Sequence, residues 1–188
     1  MLEINFTPFP VLQTERLILR NLKECDLQGL FELRSNPENM KYIPRNLHQN
    51  LEDTKAQMEM ILSKIELNEG INWVVRTKDS DEFMGILGLY KIEPENYRAE
   101  IGYMILPQFC NQGYVTEALK SILDFGFNKL LLHSIEAIID PLNTASEKVL
   151  QKLYFKKEAH ILENLYFDNK FWDTVIYSLL KKNYITSS

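Results

Sequence analysis

The most informative part of the chain, residues 102–119, reads GYMILPQFCNQGYVTEAL. Its apolar half predicts a strand that ends at Pro107, because proline cannot donate to a strand ladder. A short polar loop with Gly113 follows, and then a helix is predicted from about Val115. The first N–H groups of a helix have no internal partner and carry partial positive charge, so this arrangement suits an anion such as a pyrophosphate. Gly113 lets the main chain approach such a ligand, because it has no Cβ.

The residues before this run predict a meander of three antiparallel strands at 72–76, 83–90 and 98–105. The connecting stretches KDSD (78–81) and EPEN (93–96) have the composition of hairpin turns. Further upstream, residues 16–20 predict a short strand. Asp26 is placed to cap a helix that Pro37 ends, and Asn50 or Asp53 is placed to cap a second helix that runs to about residue 68.

The residues after the run continue the alternation of helices and strands. A helix is predicted at about 115–128, a strand at 134–139, a helix at 143–153, and strands at 155–162 and 171–180. We find no internal repeat, low-complexity tract or linker. The sequence therefore predicts a single mixed α/β domain that spans residues 1–188.

Composition narrows the classes of function. The chain has 188 residues, of which 45% are hydrophobic and 25% charged, as expected for an ordered globular domain. Its net charge of -5 and pI of about 5.3 argue against non-specific binding to nucleic acids or anionic membranes, which calls for basic patches. We therefore expect neither a nucleic-acid partner nor a membrane partner.

The termini and the cysteines favour a cytoplasmic protein. The first residues lack the charged opening and apolar run of a signal peptide, and no stretch approaches the ~18 apolar residues of a membrane helix. The two cysteines, Cys25 and Cys110, are too far apart in sequence to form a metal-binding pair. We expect reduced thiols and no metal cofactor.

The central run resembles the acetyl-CoA-binding motif of the GNAT superfamily, in particular the branch of ribosomal-protein N-terminal acetyltransferases. The strand AEIGY (99–103), the loop CNQGYV (110–115) and the helix opening TEAL (116–119) occur in the family's order and spacing. Two further blocks are similar to that branch. They are QTERLILR (13–20), and DPLN (140–143) with Ser146 and KLYF (152–155). The resemblance covers about residues 11–182.

The resemblance implies a GNAT-type mixed α/β fold, with a central, mostly antiparallel sheet of about seven strands flanked by helices. It implies acetyl-CoA as the cosubstrate. In that fold the strand at 98–105 diverges from its neighbour, and the pantetheine arm pairs with the exposed main chain like an added strand. The residues that the resemblance assigns to cofactor binding are Met104, Ile105 and Leu106 on the strand edge, Asn111, Gln112, Gly113, Tyr114, Val115 and Thr116 in the pyrophosphate loop, and Asn143 and Ser146 near the thiol.

The chain departs from the family pattern at four positions. Cys110 stands where Gln, Arg or Trp is usual, and Asn111 where Gly is common. Val115 replaces Ala or Gly, and Tyr154 replaces a glycine. Asn111 tolerates unusual backbone angles, so we expect the loop to form. The bulkier Val115 is expected to tighten the pyrophosphate site.

Direct transfer to an amine needs a base for the proton of the amine and an acid for the departing thiolate. Glu100 is the first candidate base, directly or through water. Its alternatives are a salt bridge with Arg98 or another strand residue, or simple exposure to solvent. Glu163 is the second candidate, because its strand also borders the acceptor cleft in this fold. Ser146 is the candidate donor to the cofactor sulfur, or else a first-turn serine bonded to the backbone. Glu117, in the first turn of its helix, is expected to have a structural role.

The leading functional hypothesis is an N-acetyltransferase that acts on a primary amine, with a protein N-terminus as the favoured acceptor. A second reading within the same fold is acetylation of a small amine such as a polyamine, an antibiotic or another metabolite. A third is a non-catalytic acyl-CoA-binding module, since a fold does not fix a function. A monomer and a homodimer are both compatible with the sequence.

Overall fold

A computed structural model describes residues 1–184, which build one sheet of eight strands in the order β1-β2-β3-β4-β5-β6-β8-β7. The strands are β1 Leu12–Gln13, β2 Leu17–Arg20, β3 Ile71–Thr77, β4 Phe83–Glu93, β5 Arg98–Ile105, β6 Ser134–Ile139, β7 Lys156–Phe167 and β8 Lys170–Leu180. The helices are α1 Leu27–Ser35, α2 Pro37–Met40, α3 Leu51–Glu66, α4 Tyr114–Asp124 and α5 Thr144–Lys152. Among the eight strands described, only β5 and β6 pair in parallel, so the predicted mostly antiparallel sheet is confirmed. The two-residue β1 was not predicted.

Strands β3, β4 and β5 form the predicted meander. Trp73 of β3 pairs with Leu87 of β4, which in turn pairs with Tyr103 of β5. Since side chains alternate along a strand, these three residues share one face of the sheet. The neighbouring row, Asn72 beside Gly88, lies on the opposite face.

Helices cover both faces. On the face of Trp73, its ring packs edge-on against Phe125, 5.5 Å between centroids, in the π-helical segment Phe125–Lys129 that continues α4. The amphipathic pattern of α4 explains its position, because Ala118, Leu119, Ile122 and Leu123 are all buried against the sheet. Helices α1 and α3 pack against each other, and they contact β4 and β3 respectively.

Strands β5 and β6 separate after a short parallel ladder. Only Arg98, Ala99 and Glu100 of β5 have partners in β6, which are Ser134, Ile135 and Glu136. Beyond Glu100, β5 stays paired with β4 as far as Ile105, and β6 stays paired with β8 as far as Ile139. The sheet therefore opens into a V between the two strands, and the main chain of β5 is unpaired on that side.

Asp26 differs from its predicted role. It stands at the N-cap position of α1 but makes no side-chain cap hydrogen bond. Its carboxylate is 1% exposed and forms ion pairs with Arg20 and Arg76 instead. By contrast, Asn50 caps α3 as predicted, because its Oδ1 accepts from the N–H of Asp53 at 2.9 Å.

The described residues also bear on membrane insertion, metal binding and disulfide formation. No helix within residues 1–184 is long and apolar enough to cross a bilayer. In the same range, no three His, Cys, Asp or Glu side chains lie close enough to share a metal ion. Cys25 and Cys110 are free thiols.

Candidate active site

The loop before α4 presents a row of unused main-chain donors. The helical ladder of α4 starts with the N–H of Glu117, which donates to Gly113 O at 3.0 Å. Among the described residues, the main-chain N–H groups of residues 111–116 find no hydrogen-bond acceptor. Gly113 has φ +82° and Asn111 has φ +61°, left-handed values that turn successive N–H groups toward one side. The loop thus forms with Asn111 in place of glycine and has the geometry of an anion-binding concavity.

Space above the loop is open. A Cβ added to Gly113 would have one neighbour within 4 Å, the Nη2 atom of Arg16 at 3.6 Å. A diphosphate can therefore approach the main chain closely, and a guanidinium stands beside it. The donor set and the free space fit the pyrophosphate of a coenzyme A thioester.

Arg16, which the sequence did not single out, holds this loop in place. Its Nε donates to Glu117 Oε2 at 2.7 Å and its Nη1 to Gln112 O at 3.2 Å. Its guanidinium also lies 4.1 Å from the ring centroid of Tyr114. Arg16 lies within the segment QTERLILR and immediately precedes β2, so the start of β2 is tied to the candidate cofactor loop.

Glu117 is the acceptor at the centre of this arrangement. Besides the Arg16 side chain, it accepts from Thr14 Oγ1 at 2.5 Å and from the Arg16 N–H at 2.9 Å. Partial burial by itself would raise the pKa of Glu117, but these hydrogen bonds and the Arg16 charge outweigh burial and lower it. Glu117 is thus an ionised structural anchor, in agreement with the sequence analysis.

The register of β5 identifies which main-chain groups face the V. Leu106 N–H donates to Met84 O at 2.8 Å, and Ile105 pairs with Gly85. Because hydrogen-bonded pairs alternate along an antiparallel ladder, Met104 and Leu106 direct their main-chain groups toward β4. Tyr103 and Ile105 direct theirs into the gap. Ile105 therefore lies as the family resemblance implies, whereas Met104 and Leu106 border the gap without offering main-chain groups to it.

Helix α5 closes the other wall of the gap. Asn143 caps it, since Asn143 Oδ1 accepts from the Ser146 N–H at 3.1 Å. The Tyr103 hydroxyl reaches across from β5 and donates to the main-chain oxygen of Ser146 at 3.3 Å. Burial raises the pKa of Tyr103 to about 12, so its hydroxyl is neutral at pH 7. Among the described residues, the Ser146 hydroxyl itself makes no hydrogen bond, in contrast to the backbone-bonded alternative.

Two carboxylates stand where β5 and β6 part. Glu100 and Glu136 are partners in the last parallel pair, so their side chains are neighbours on the same face. Glu100 is 19% exposed and forms an ion pair with Lys91 at 2.6 Å. Glu136 pairs with Arg98. The salt bridge considered for Glu100 does exist, with Lys91 as its partner, and it leaves the second carboxylate oxygen without a cation.

Glu163 lies far from the place where β5 and β6 separate. It sits in an irregular part of β7, has φ +49°, and is exposed. Strands β8 and β6 stand between β7 and β5, a separation of three strand spacings, or about 14 Å. The structure does not bring Glu163 and Glu100 together.

Cys110 has the properties of a passive thiol. Its Sγ lies 3.9 Å from Leu106 O, and partial burial raises the pKa of the thiol. A raised pKa keeps the sulfur protonated and therefore weakly nucleophilic. We see no basis for a covalent acyl-cysteine at this position.

Tyr154 occupies a glycine-like conformation at the end of α5. Its φ is +65°, its N–H donates to Gln151 O at 3.0 Å, and the Phe155 N–H donates to Leu150 O at 3.0 Å. This is the Schellman pattern, in which the residue after the helix adopts the left-handed region. The structure thus supplies a physical reason for the glycine that the family usually has there.

We expect Tyr154→Gly to raise the free energy of unfolding by about 1 kcal/mol, because glycine removes the left-handed strain. Little packing is lost, since Tyr154 is 59% exposed. Urea denaturation of the two proteins measures the difference. Tyr154→Ala is the matched control, because it removes the ring and keeps the strain. A glycine variant no more stable than the alanine variant would contradict this prediction.

Solved acetyltransferase structures share this architecture at low sequence identity. Spermidine N-acetyltransferase from Vibrio cholerae, solved in complex with CoA and spermine, superposes with a TM-score of 0.79 at 23% identity, over 89% of this chain and 97% of its own. RimL, the ribosomal L7/L12 α-N-protein acetyltransferase, in complex with CoA, superposes with a TM-score of 0.80 at 19% identity, over 93% and 99%. At these identities the similarity establishes the fold alone.

Sequence comparison identifies the family. Residues 16–156 match the family model of the acetyltransferase (GNAT) domain. The uncharacterized N-acetyltransferase YoaA of Bacillus subtilis is 31% identical over 92% of this chain and 98% of its own length. A GNAT-family acetyltransferase from Bacillus anthracis superposes with a TM-score of 0.83 at 28% identity, over 92% and 99%. The chain belongs to the GNAT family and is an N-acetyltransferase that uses acetyl-CoA.

Proposed function

We propose that the enzyme transfers an acetyl group from acetyl-CoA to the primary amine at the N-terminus of a peptide or protein. One observation carries the proposal. The unpaired edge of β5 leads directly into a loop whose N–H groups, from Asn111 to Thr116, are free to bind a pyrophosphate. An extended pantetheine arm bound along that edge brings its thioester to the point where β5 and β6 part.

In this proposal each residue predicted to bind the cofactor contacts a particular part of acetyl-CoA. The N–H groups of Asn111, Gln112, Gly113, Tyr114, Val115 and Thr116 bind the pyrophosphate, and the guanidinium of Arg16, which is paired with Glu117, lies beside them. The main-chain groups of Tyr103 and Ile105 form hydrogen bonds with the amide groups of pantetheine. Met104 and Leu106 line the gap, and Asn143 at the start of α5 borders the thiol end.

Acetyl-CoA supplies the activated acyl group as a thioester. Glu100 accepts a proton from the ammonium of the acceptor, directly or through one water, so that the neutral amine can attack. A C–N bond then forms at the carbonyl carbon and the C–S bond breaks. The Ser146 hydroxyl, free of other partners, donates a proton to the departing thiolate and regains one from the amine nitrogen through solvent. The products are an amide and free coenzyme A.

Glu100 is favoured over Glu163 as the base because of its position. It ends the shared ladder of β5 and β6, whereas Glu163 lies on the outermost strand. The peptide acceptor is supported by the similarity of residues 99–119 to the ribosomal-protein branch. Small amines are the competing acceptors, and a panel that includes spermidine and short peptide amides separates the two classes.

We expect Glu100→Gln to lower kcat about 100-fold at pH 7, because the substitution removes the proton acceptor and keeps the shape. The loss should shrink as the pH rises toward the pKa of the acceptor amine, where the free base no longer needs help. The rate is measured as coenzyme A release.

Lys91→Met is the matched control for this prediction. It removes the same ion pair and leaves the carboxylate, and Lys91 is 69% exposed, so kcat should stay within about threefold of wild type. Equal losses in both variants would show that the ion pair matters and that Glu100 is not the base. Binding of acetyl-CoA without transfer to any amine in the panel would favour the non-catalytic module.

A further inference from the structure

Arg34 is a buried cation without a hydrogen-bond or ion-pair partner in the part of the chain that the structure describes. It lies near the C-terminal end of α1 and is 7% exposed. Its Nε has no hydrogen-bond partner, and within residues 1–184 its side chain makes no hydrogen bond and no salt bridge. A buried charge without a partner is costly, so binding of a ligand that supplies the missing acceptor would be favourable here.

The charged groups near Arg34 do not neutralise its positive charge. Burial lowers the pKa of Arg34, and the nearby Arg45 lowers it further. His48 is close, since its N–H donates to Arg34 O at 3.2 Å, and burial followed by the Arg34 charge lowers the pKa of its ring. Of the nearby acids, Glu100 is paired with Lys91, and Asp53, which accepts from the Gln49 N–H at 2.8 Å, offsets only one of the two arginine charges. The site therefore has an excess of positive charge.

Tyr90 is close enough to Arg34 for their charges to interact, and it borders the candidate reaction centre. It is the partner of Glu100 in the β4–β5 ladder, and its ring lies so close over Gly102 that a Cβ there would be 2.8 Å away. Its hydroxyl accepts from Asn72 Nδ2 at 2.7 Å. The hydroxyl hydrogen of Tyr90 has no acceptor among the described residues.

Burial raises the pKa of Tyr90 to about 12, so this hydroxyl keeps its hydrogen at pH 7. The guanidinium of Arg34 and the hydroxyl of Tyr90 are thus two neighbouring donors, and neither has an acceptor among residues 1–184. A carboxylate satisfies both needs, because it offers two acceptor oxygens and a charge that suits a guanidinium.

We propose that Arg34, with Tyr90 and Arg45, binds a carboxylate of the acceptor, so that the preferred substrates are amines with a carboxylate close to the amino group. The inference rests on the proposed function, because it names the substrate class of that same site. A polyamine would bring further positive charge to the excess already there, and it is disfavoured for that reason.

The test uses acceptors in pairs that differ by one charge. The first pair is a tetrapeptide amide that begins with serine and aspartate, and its counterpart with asparagine. The second pair is free serine and serinamide, with rates expressed per neutral amine because the amide lowers the pKa of the amino group. We expect kcat/KM to be about 10- to 100-fold higher for the carboxylate member of one pair, as for a charged hydrogen-bonded contact. The first pair would identify a peptide side chain as the source of the carboxylate, and the second a free amino acid.

Arg34→Met should reduce that ratio to within about threefold of unity and leave thermal stability unchanged or higher, because the lost cation had no partner. Lys41→Met removes an exposed cation that directly follows α2 and should keep the wild-type ratio. Wild-type ratios near one in both pairs would overturn the proposal, as would a ratio that survives Arg34→Met.

Failure of the proposed function is recognised separately, as absence of transfer to every acceptor. In that case calorimetric binding of the same peptides to the coenzyme A complex decides about the carboxylate site. Tighter binding of the aspartate peptide, lost in Arg34→Met, supports it. Equal dissociation constants for the aspartate and asparagine peptides overturn it.

Discussion

Replacing Gly113 with glutamate is expected to abolish acetyl-CoA binding, with a dissociation constant at least about 1000-fold higher than that of the wild type. Gly113 precedes Tyr114 at the start of α4, and the space above it is open toward the N–H groups of the loop. A carboxylate in that space would occupy the anion site, repel the pyrophosphate and compete for the Arg16 guanidinium. Isothermal titration with acetyl-CoA measures the effect.

Two further variants separate the causes of that loss. Gly113→Ala adds only a Cβ, which meets Arg16 Nη2 at an ordinary 3.6 Å, and it strains the backbone because φ is +82°. Such strain costs about 1 kcal/mol and should weaken binding by no more than about tenfold. Gly113→Lys has the same strain with the opposite charge and should bind between the two. Glutamate and alanine variants of equal affinity would show that the loop does not hold an anion.

Much of the fold follows from signals that are local in the sequence. The meander of β3 to β5 is recognisable because each strand is a short apolar run bounded by a polar turn. The loop before α4 is recognisable because Pro107 ends one element and Gly113 precedes the next. Asn143 could likewise be predicted as a cap, because capping joins a side chain to an N–H group only three residues away.

The shape of the gap between β5 and β6 could not be obtained in this way. Its length depends on where the parallel ladder stops, and the ladder stops because β6 follows β8 and β5 follows β4. The identity of the free main-chain groups depends on register, and a one-residue change of register exchanges the two sides. Met104 and Leu106 are therefore predicted from the sequence to pair with the pantetheine arm beside Ile105, whereas the structure directs the main chains of Tyr103 and Ile105 into the gap.

The ion pairs of the site are also invisible to local reasoning. Arg16 and Glu117 are 101 residues apart in the chain, and each residue alone looks like a solvated charge. Arg34 gave no signal either, since an arginine in the last turn of a helix is ordinary on dipole grounds. What sets it apart is burial without a partner, which only the packing of α1 against the sheet reveals.

Asp26 is expected to be the most sensitive charged residue for stability. Its buried carboxylate accepts four hydrogen-bond contacts, from Arg20 Nη1 at 2.7 Å, Arg20 Nη2 at 2.9 Å, Arg76 Nη1 at 2.9 Å and the Lys23 N–H at 2.9 Å. These contacts join β2, β3 and the start of α1. Asp26→Asn keeps the shape but removes the charge, and it leaves two arginines that are only 15% and 14% exposed.

We expect Asp26→Asn to lower the free energy of unfolding by about 3–5 kcal/mol, the cost of breaking a buried ion pair from one side. Urea denaturation measures it. The double variant Asp26→Asn, Arg20→Met should recover part of the loss, because removing both partners avoids an uncompensated buried charge and Arg76 still has Asp81. A loss below about 1 kcal/mol in the single variant would mean that solvent screens the carboxylate. The cluster would then be a surface ion pair in energetic terms, despite its burial.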